Sequence, residues 1–224
     1  MARGRRLFRL KHITLDPQTA AKYLLDLPAE SLRHDPLAHP PLSAEALFGD
    51  SRPLAVDVGT GTGEYVVELA AEDPGTNFVG IEVSHRLATY AAHLAARRRL
   101  DNLRIVRANF SLLRPLLPAA GWQRASLHFP DPEHKRRDQK RSLFRLGFLD
   151  AMAHVLTPGG ELSIASDKHD YFLSMLAEVE QDQRFVKTHP EAYLLGVQGL
   201  HKSRFQQFWE RKGVTPAQVI LRRV

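Results

Sequence analysis

The stretch Leu54–Glu82, LAVDVGTGTGEYVVELAAEDPGTNFVGIE, decides the fold. Leu54-Ala55-Val56 with Val58 has the composition of a strand buried on both faces, and Gly59-Thr60-Gly61-Thr62-Gly63 follows at once as a tight turn. Glycines in such a turn let the backbone approach a ligand closely. Glu64 opens a helix with Val66, Val67, Leu69 and Ala70 on one face, and Pro74-Gly75 stops it before the strand Phe78–Ile81. Glu82 falls at that strand's carboxyl end. The whole reads as one βαβ unit of a doubly wound, Rossmann-like α/β sheet.

An acid roughly 20 residues past the glycine turn accepts hydrogen bonds from ribose hydroxyls in such folds, and Glu82 is so placed. A dinucleotide site needs G-x-G-x-x-G, with a pyrophosphate on the helix N-terminus. Gly59 and Gly61 fit that pattern, but Glu64 stands where the third glycine belongs. A carboxylate there repels a diphosphate, and Asp57 adds a second negative charge, so a nicotinamide dehydrogenase is disfavoured. A cationic adenosine ligand suits the turn better. S-adenosylmethionine joins an adenosine ribose to an ammonium and a sulfonium; Gly59, Gly61 and Gly63 would form its cradle, with Asp57 at its methionine end. A glycine turn alone can also be a mere link from strand to helix; Asp57 and Glu82 together favour the ligand.

At 224 residues the chain holds one α/β domain with a large core plus an N-terminal extension. We place the boundary so that residues 1–43 form a basic arm and linker and residues 44–224 the catalytic domain. Hydrophobic residues at 43% and charged residues at 25% are ordinary for a globular protein, and no apolar run is long enough for a membrane span. The absence of cysteine excludes disulfides, thiolate metal sites and a cysteine nucleophile, and the eleven histidines show no metal spacing. A cytoplasmic protein, monomer or homodimer, with neither metal nor membrane partner, is the expectation. Lys+Arg 31 against Asp+Glu 25 gives a formal net charge of +6, which favours polyanions, RNA above all, or reflects only an arginine-rich surface.

Arg3, Arg5, Arg6, Arg9 and Lys11 punctuate Met1–His12, the pattern of an arm that binds phosphates without reading sequence. Ala20–Leu27 suggests a short helix, and the proline-rich His34–Pro41 a linker or strap. After Glu82 come a helix over His85–Arg99 and a third strand, Leu103–Ala108, ending at Asn109. That position lies beside an adenine in this fold, so Asn109 either contacts the base or closes a loop turn. Ala125–Phe129 is the fourth strand. It runs into Phe129-Pro130-Asp131-Pro132, where two prolines stiffen the backbone around an acid, and then into Lys135, Arg136, Arg137, Lys140 and Arg141. A rigid acid beside dense positive charge at the binding edge suggests a reaction on a nucleotide. A helix over Leu143–Leu156, a turn at Pro158-Gly159-Gly160, a strand Leu162–Ala165 ending at Ser166-Asp167, a helix Tyr171–Glu180 and a last strand within Pro216–Arg222 complete the chain.

DVGTGTG, GIE and FPDPEHKRRDQKR together resemble the bacterial tRNA (guanine-N7-)-methyltransferases, a class I S-adenosylmethionine-dependent family, over about Leu42 to Ser166 and more weakly over Ser203–Gly213. The last motif is similar to that family's PDPW-x-K-K-R-H-x-K-R segment. The resemblance implies a seven-stranded sheet with its last strand antiparallel, and methyl transfer to N7 of a guanosine in the tRNA variable loop. It implies cofactor contacts at Asp57, Glu82, Asn109 and Asp131, catalysis at Asp131, substrate contacts at Lys135, Asp167 and Ser203-Arg204-Phe205-Gln206, and RNA backbone contacts along Arg136, Arg137, Lys140 and Arg141. Glu133 replaces the usual tryptophan, His134 the usual proline and Gln206 the usual glutamate. These departures touch the substrate side and leave open a methyltransferase acting on another RNA position or a small molecule, or a tRNA-binding relative without activity.

Overall fold

The structure is a computed structural model that describes residues 13–131, 143–144, 147–198 and 204–224. Helix α1 (Pro17–Tyr23) leads into strand β1 (Leu24–Asp26), followed by α2 (Ala29–His34) and α3 (Ala44–Phe48). The βαβ unit follows as β2 (Leu54–Val58), α4 (Glu64–Glu72) and β3 (Asn77–Glu82). Next come α5 (His85–Arg97), β4 (Leu103–Arg107), β5 (Trp122–His128), α6 (Phe148–Val155), β6 (Leu156–Ser166) and α7 (His169–Glu180). Short strands β7 (Phe185–Lys187) and β8 (Leu194–Leu195), helix α8 (Arg204–Glu210) and β9 (Ala217–Arg223) complete the described elements.

The strands form one sheet in the order β1-β4-β3-β2-β5-β6-β9-β7, with β8 paired to β9. Pairing is parallel from β1 through β6, and β9 is antiparallel to β6, β7 and β8. The expected count of seven strands is corrected to nine: β1 and β8 extend the seven. They hold three and two residues, too few to print an alternating pattern. Pro158-Gly159-Gly160, expected as a turn, is a bulge inside β6. Trp122 pairs with Leu156 and Arg124 with Glu161, so β6 carries extra residues there, and Gly159 takes a φ of 78°.

Each face of the sheet carries its own apolar layer. On one side Val66, Val67 and Ala70 of α4 and Ala88, Ala91, Ala92 and Ala95 of α5 pack on Ala55, Phe78, Leu103 and Ile105. On the other, Phe148 and Met152 of α6 and Phe172 and Met175 of α7 pack on Val56, Val58, Leu127 and Ile164. Leu27, Leu32 and Leu42 are buried in that second layer, and fully buried Trp122 donates its Nε1 hydrogen to the Leu42 carbonyl at 2.9 Å. Leu27, Leu32 and Leu42, within the stretch expected as arm and linker, thus share the domain's core.

Gly63 sets how closely α4 meets α5. It caps α4 with a φ of 82°, and a Cβ built there would lie 2.4 Å from Ala91 Cβ and 3.0 Å from Ala91 Cα. Such an approach leaves no room for a side chain, and the positive φ strains any other residue. Gly63 thus supplies a close contact between the start of α4 and α5. Gly63→Ala should destabilise the fold by about 3 kcal/mol, lowering Tm by on the order of 10 °C in a thermal melt. An unchanged Tm would show that α4 and α5 can separate freely.

Candidate active site

Strands β4, β3, β2, β5 and β6 run parallel, so their carboxyl ends share one edge of the sheet. The chain winds from β2 outward through β3 and β4, then returns to add β5 on the other flank. Ligands of open α/β sheets bind in the crevice at such a reversal. Asp57, Glu82, Asn109, Asp131 and Asp167 all lie at or just beyond these strand ends.

The glycine turn is pinned from behind. The Gly59 and Thr60 amides donate to the Ile81 carbonyl at 2.8 and 3.0 Å. The Gly61 amide donates to Glu82 Oε2 at 3.0 Å, and the Ser84 amide to Oε1 at 2.7 Å. Gly59 holds a φ of 81° with nothing within 4 Å of where its Cβ would stand, so open space faces the turn. Burial pushes the Glu82 carboxyl above its ordinary value; the Ser84 and Gly61 amides oppose that shift, and the charge of Asp131 adds to it. Asp57, on β2, accepts from Ser126 Oγ at 2.5 Å across to β5. Its carboxyl is pushed up by burial, against the hydrogen bond from Ser126. Among the described residues no cation forms an ion pair with Asp57 or Glu82. Two buried acids that no cation pairs with among the described residues favour a cationic ligand here over a phosphate.

Asp131 is exposed, three residues beyond β5. Phe129, between them, adopts a φ of 56°, a left-handed conformation that a bulky residue rarely takes, and its amide donates to the Ala165 carbonyl at 2.7 Å. The turn thus fixes where the Asp131 loop leaves the sheet. Asp167 follows the neighbouring strand β6, its side chain buried and 3.9 Å from Lys168 Nζ. Lys168 Nζ also lies 5.1 Å from the Trp209 ring centre, which draws α8 to the same corner.

A family model described as "Putative methyltransferase" matches residues 51–217. A tRNA (guanine-N(7)-)-methyltransferase of Rubrobacter xylanophilus is 43% identical over 211 residues, which cover 94% of this chain and 95% of that one. The chain belongs to the tRNA (guanine-N(7)-)-methyltransferases. Family members from Chloroherpeton thalassium, 34% identical over 94% of this chain and 93% of that one, and from Chloroflexus aurantiacus, 32% identical over 100% and 99%, agree. Among solved structures, TrmN from Thermus thermophilus superposes with a TM-score of 0.56 at 22% identity, covering 78% of this chain and 46% of that chain. SMU.1697c from Streptococcus mutans, solved in complex with SAH, gives 0.53 at 14%, covering 78% and 90%. These two speak for the fold.

The residues fit S-adenosylmethionine, the methyl donor of such enzymes: open space before a glycine turn and uncompensated carboxylates suit an adenosine that carries positive charge. Turn, Asp57, Glu82 and Asp131 lie at the same carboxyl edge of the sheet, the Asp131 charge being felt by Glu82. Asn109 lies at the end of β4, but its Oδ1 accepts from the Ser111 amide at 3.1 Å and hydroxyl at 2.9 Å, capping its own loop. Gln206 is buried in α8 with Nε2 donating to Glu210 Oε1 at 2.9 Å. Lys135, Arg136, Arg137, Lys140, Arg141 and Ser203 lie outside the described residues, as do the side chains of Arg204 and Phe205. Sequence reading overlooked Ser126 and His128, although period-two alternation along β5 puts both on the face of Asp57.

Protonation of Asp57 is linked to folding. Its carboxyl titrates higher in the folded chain than in the unfolded one, so its contribution to stability is intact below about pH 4 and is lost as pH rises through the raised folded value. Asp57→Asn keeps the acceptor for Ser126 without the charge. Denaturant titrations at pH 4 and pH 8 should find this variant close to the parent at the lower pH and more stable at the higher. A gap independent of pH would contradict the assignment.

Proposed function

We propose that this protein transfers a methyl group from S-adenosylmethionine to N7 of a guanosine in the variable loop of tRNA, in the cytoplasm. Family membership supports the reaction. The observation that carries the site is the pair of buried acids, Asp57 and Glu82, flanking an open glycine turn at the edge where exposed Asp131 emerges. When bound, S-adenosylmethionine supplies an electrophilic methyl on a sulfonium. The amides and positive φ values of Gly59–Gly63 leave room for its amino-acid end, Asp57 balances its charge, and Glu82 receives the ribose hydroxyls on lone pairs that Gly61 and Ser84 do not use.

Guanine N7 bears a lone pair and no proton, so the enzyme needs no general base. Its task is to hold the base in line, and orientation supplies most of the acceleration of such a step. Asp131 does this by accepting from guanine N1–H and the exocyclic amine. Its negative charge also stabilises the cation that forms on the ring. Lys135, Arg136, Arg137, Lys140 and Arg141 follow Asp131 in sequence and take the tRNA backbone, while Asp167 after β6 and the sequence Ser203-Arg204-Phe205 contact the substrate; Gln206, buried and bonded to Glu210, supports α8 instead of touching substrate.

Asp131→Ala should cut incorporation of labelled methyl into tRNA by about 100-fold or more and leave S-adenosylmethionine affinity within a few-fold. Parallel loss of affinity would make Asp131 a cofactor ligand instead. Replacing Arg136 and Arg137 together by Ala should weaken tRNA binding and reduce the slope of log K against log salt by about 1.5. An unchanged slope would remove both from the RNA interface.

A further inference from the structure

We infer that His128, Ser163 and Gln218 form a positioning relay that couples Phe129, where the chain leaves β5 towards Asp131, to Gln198 beyond β8. The inference rests on the proposed reaction at this edge. Three adjacent strands contribute one polar side chain each, on the same face of the sheet. Ser163 of β6 pairs with Ser126, diagonal to His128 on β5, and with Ile220, diagonal to Gln218 on β9. His128 Nε2 lies 2.8 Å from Ser163 Oγ, and Gln218 Nε2 donates to the same oxygen at 2.8 Å. Gln218 Oε1 accepts the Gln198 amide at 2.7 Å. Ser163 and Gln218 are buried, at 9% and 2% exposure. Buried polar groups are costly unless paired, and a fully paired network fixes one arrangement of the chains that carry it.

The two ends of this network are His128, next to the turn that leads to Asp131, and the Gln198 amide beyond β8. His128 directly precedes Phe129, whose left-handed φ persists only where neighbours over-determine it. Its ring is held by Ser163 on one edge and by Tyr65 of α4, with ring centres 5.2 Å apart. Burial pushes the imidazole down to about 4, so the ring is neutral at physiological pH and acts as a fixed hydrogen-bonding plate. At the other end Gln198 follows β8 and precedes the segment that runs into α8, which carries Gln206 and Trp209. Ser163 Oγ is the junction between the two ends. With that hydroxyl shared between His128 and Gln218, the role assigned to Ser163 is positioning. It also lines a cavity of about 110 Å³ between α4 and strands β2, β5 and β6, which has room for an added methyl.

The test compares Ser163→Ala with Ser163→Thr, which keeps the hydroxyl and turns its methyl to the cavity, and uses Gln218→Met as a second break in the network. Ser163→Ala and Gln218→Met should each lower kcat for tRNA methylation by about tenfold or more, with S-adenosylmethionine Kd within twofold, and Ser163→Thr should restore the parent value. Unchanged kcat in a folded Ser163→Ala, failure of the Thr variant to restore it, or equal loss of cofactor affinity would each overturn the relay. Amide hydrogen exchange provides a readout independent of activity. In Ser163→Ala the Phe129 and Gln198 amides should exchange about tenfold faster, while the Gly61 amide, held by Glu82, should not change. If the parent protein fails to methylate tRNA, the functional reading falls. The relay is then judged on exchange alone, and protection unchanged at Phe129 and Gln198 would refute it.

Discussion

The Glu82 carboxylate, buried at the end of β3 and accepting the amides of Gly61 and Ser84, is the contact on which the site depends. It fixes the glycine turn against the next strand and leaves a negative charge in a place water barely reaches. Asp57, bonded to Ser126 across β2 and β5, repeats the arrangement on the other side of the turn. Folding holds both acids against their preference for water, and a ligand bearing positive charge relieves that cost on binding. Cofactor choice is thus written into electrostatics before any substrate contact is considered.

The rest of the molecule builds around this edge. Two helical layers clamp the sheet, and Gly63 lets α4 lie against Ala91 of α5 so that the turn opens at the crevice. On the opposite flank the left-handed Phe129 and the Ala165 carbonyl fix where the chain leaves β5 towards Asp131. The turn and Glu82 are tied together within one βαβ unit, and Asp57 is tied to β5 through Ser126. On the neighbouring flank, side chains of β5, β6 and β9 meet at the Ser163 hydroxyl, which His128 and Gln218 share.

Much of the fold was legible because the informative patterns are local. The apolar run Leu54–Val58, the glycine turn and Glu82 lie within one short stretch, and each strand end that carries an acid is marked by its own sequence. What escaped reading depends on partners far apart in the chain. Strands β1 and β8 exist because β4 and β9 offer them edges, and nothing in LLD or LL announces a strand. Leu27, Leu32 and Leu42 join the core through contacts that a proline-rich stretch conceals, and Trp122 holds Leu42 across 80 residues of sequence. Gly160 and its neighbours read as a turn but bulge within β6, because β5 continues to pair on either side of them. The bond between His128 and Ser163 spans 35 residues and that between Gln218 and Ser163 spans 55, so the network is invisible until the strands are placed side by side.

The central claim is tested most directly by mapping the product nucleotide. Purified protein would be incubated with labelled S-adenosylmethionine and unmodified tRNA transcripts, and the RNA then treated with aniline, which cuts the chain at 7-methylguanosine. The account predicts label in the tRNA and a single cut within the variable loop. Label without an aniline-sensitive cut would contradict it, placing the methyl on another atom and assigning the Asp131 edge to a different base geometry.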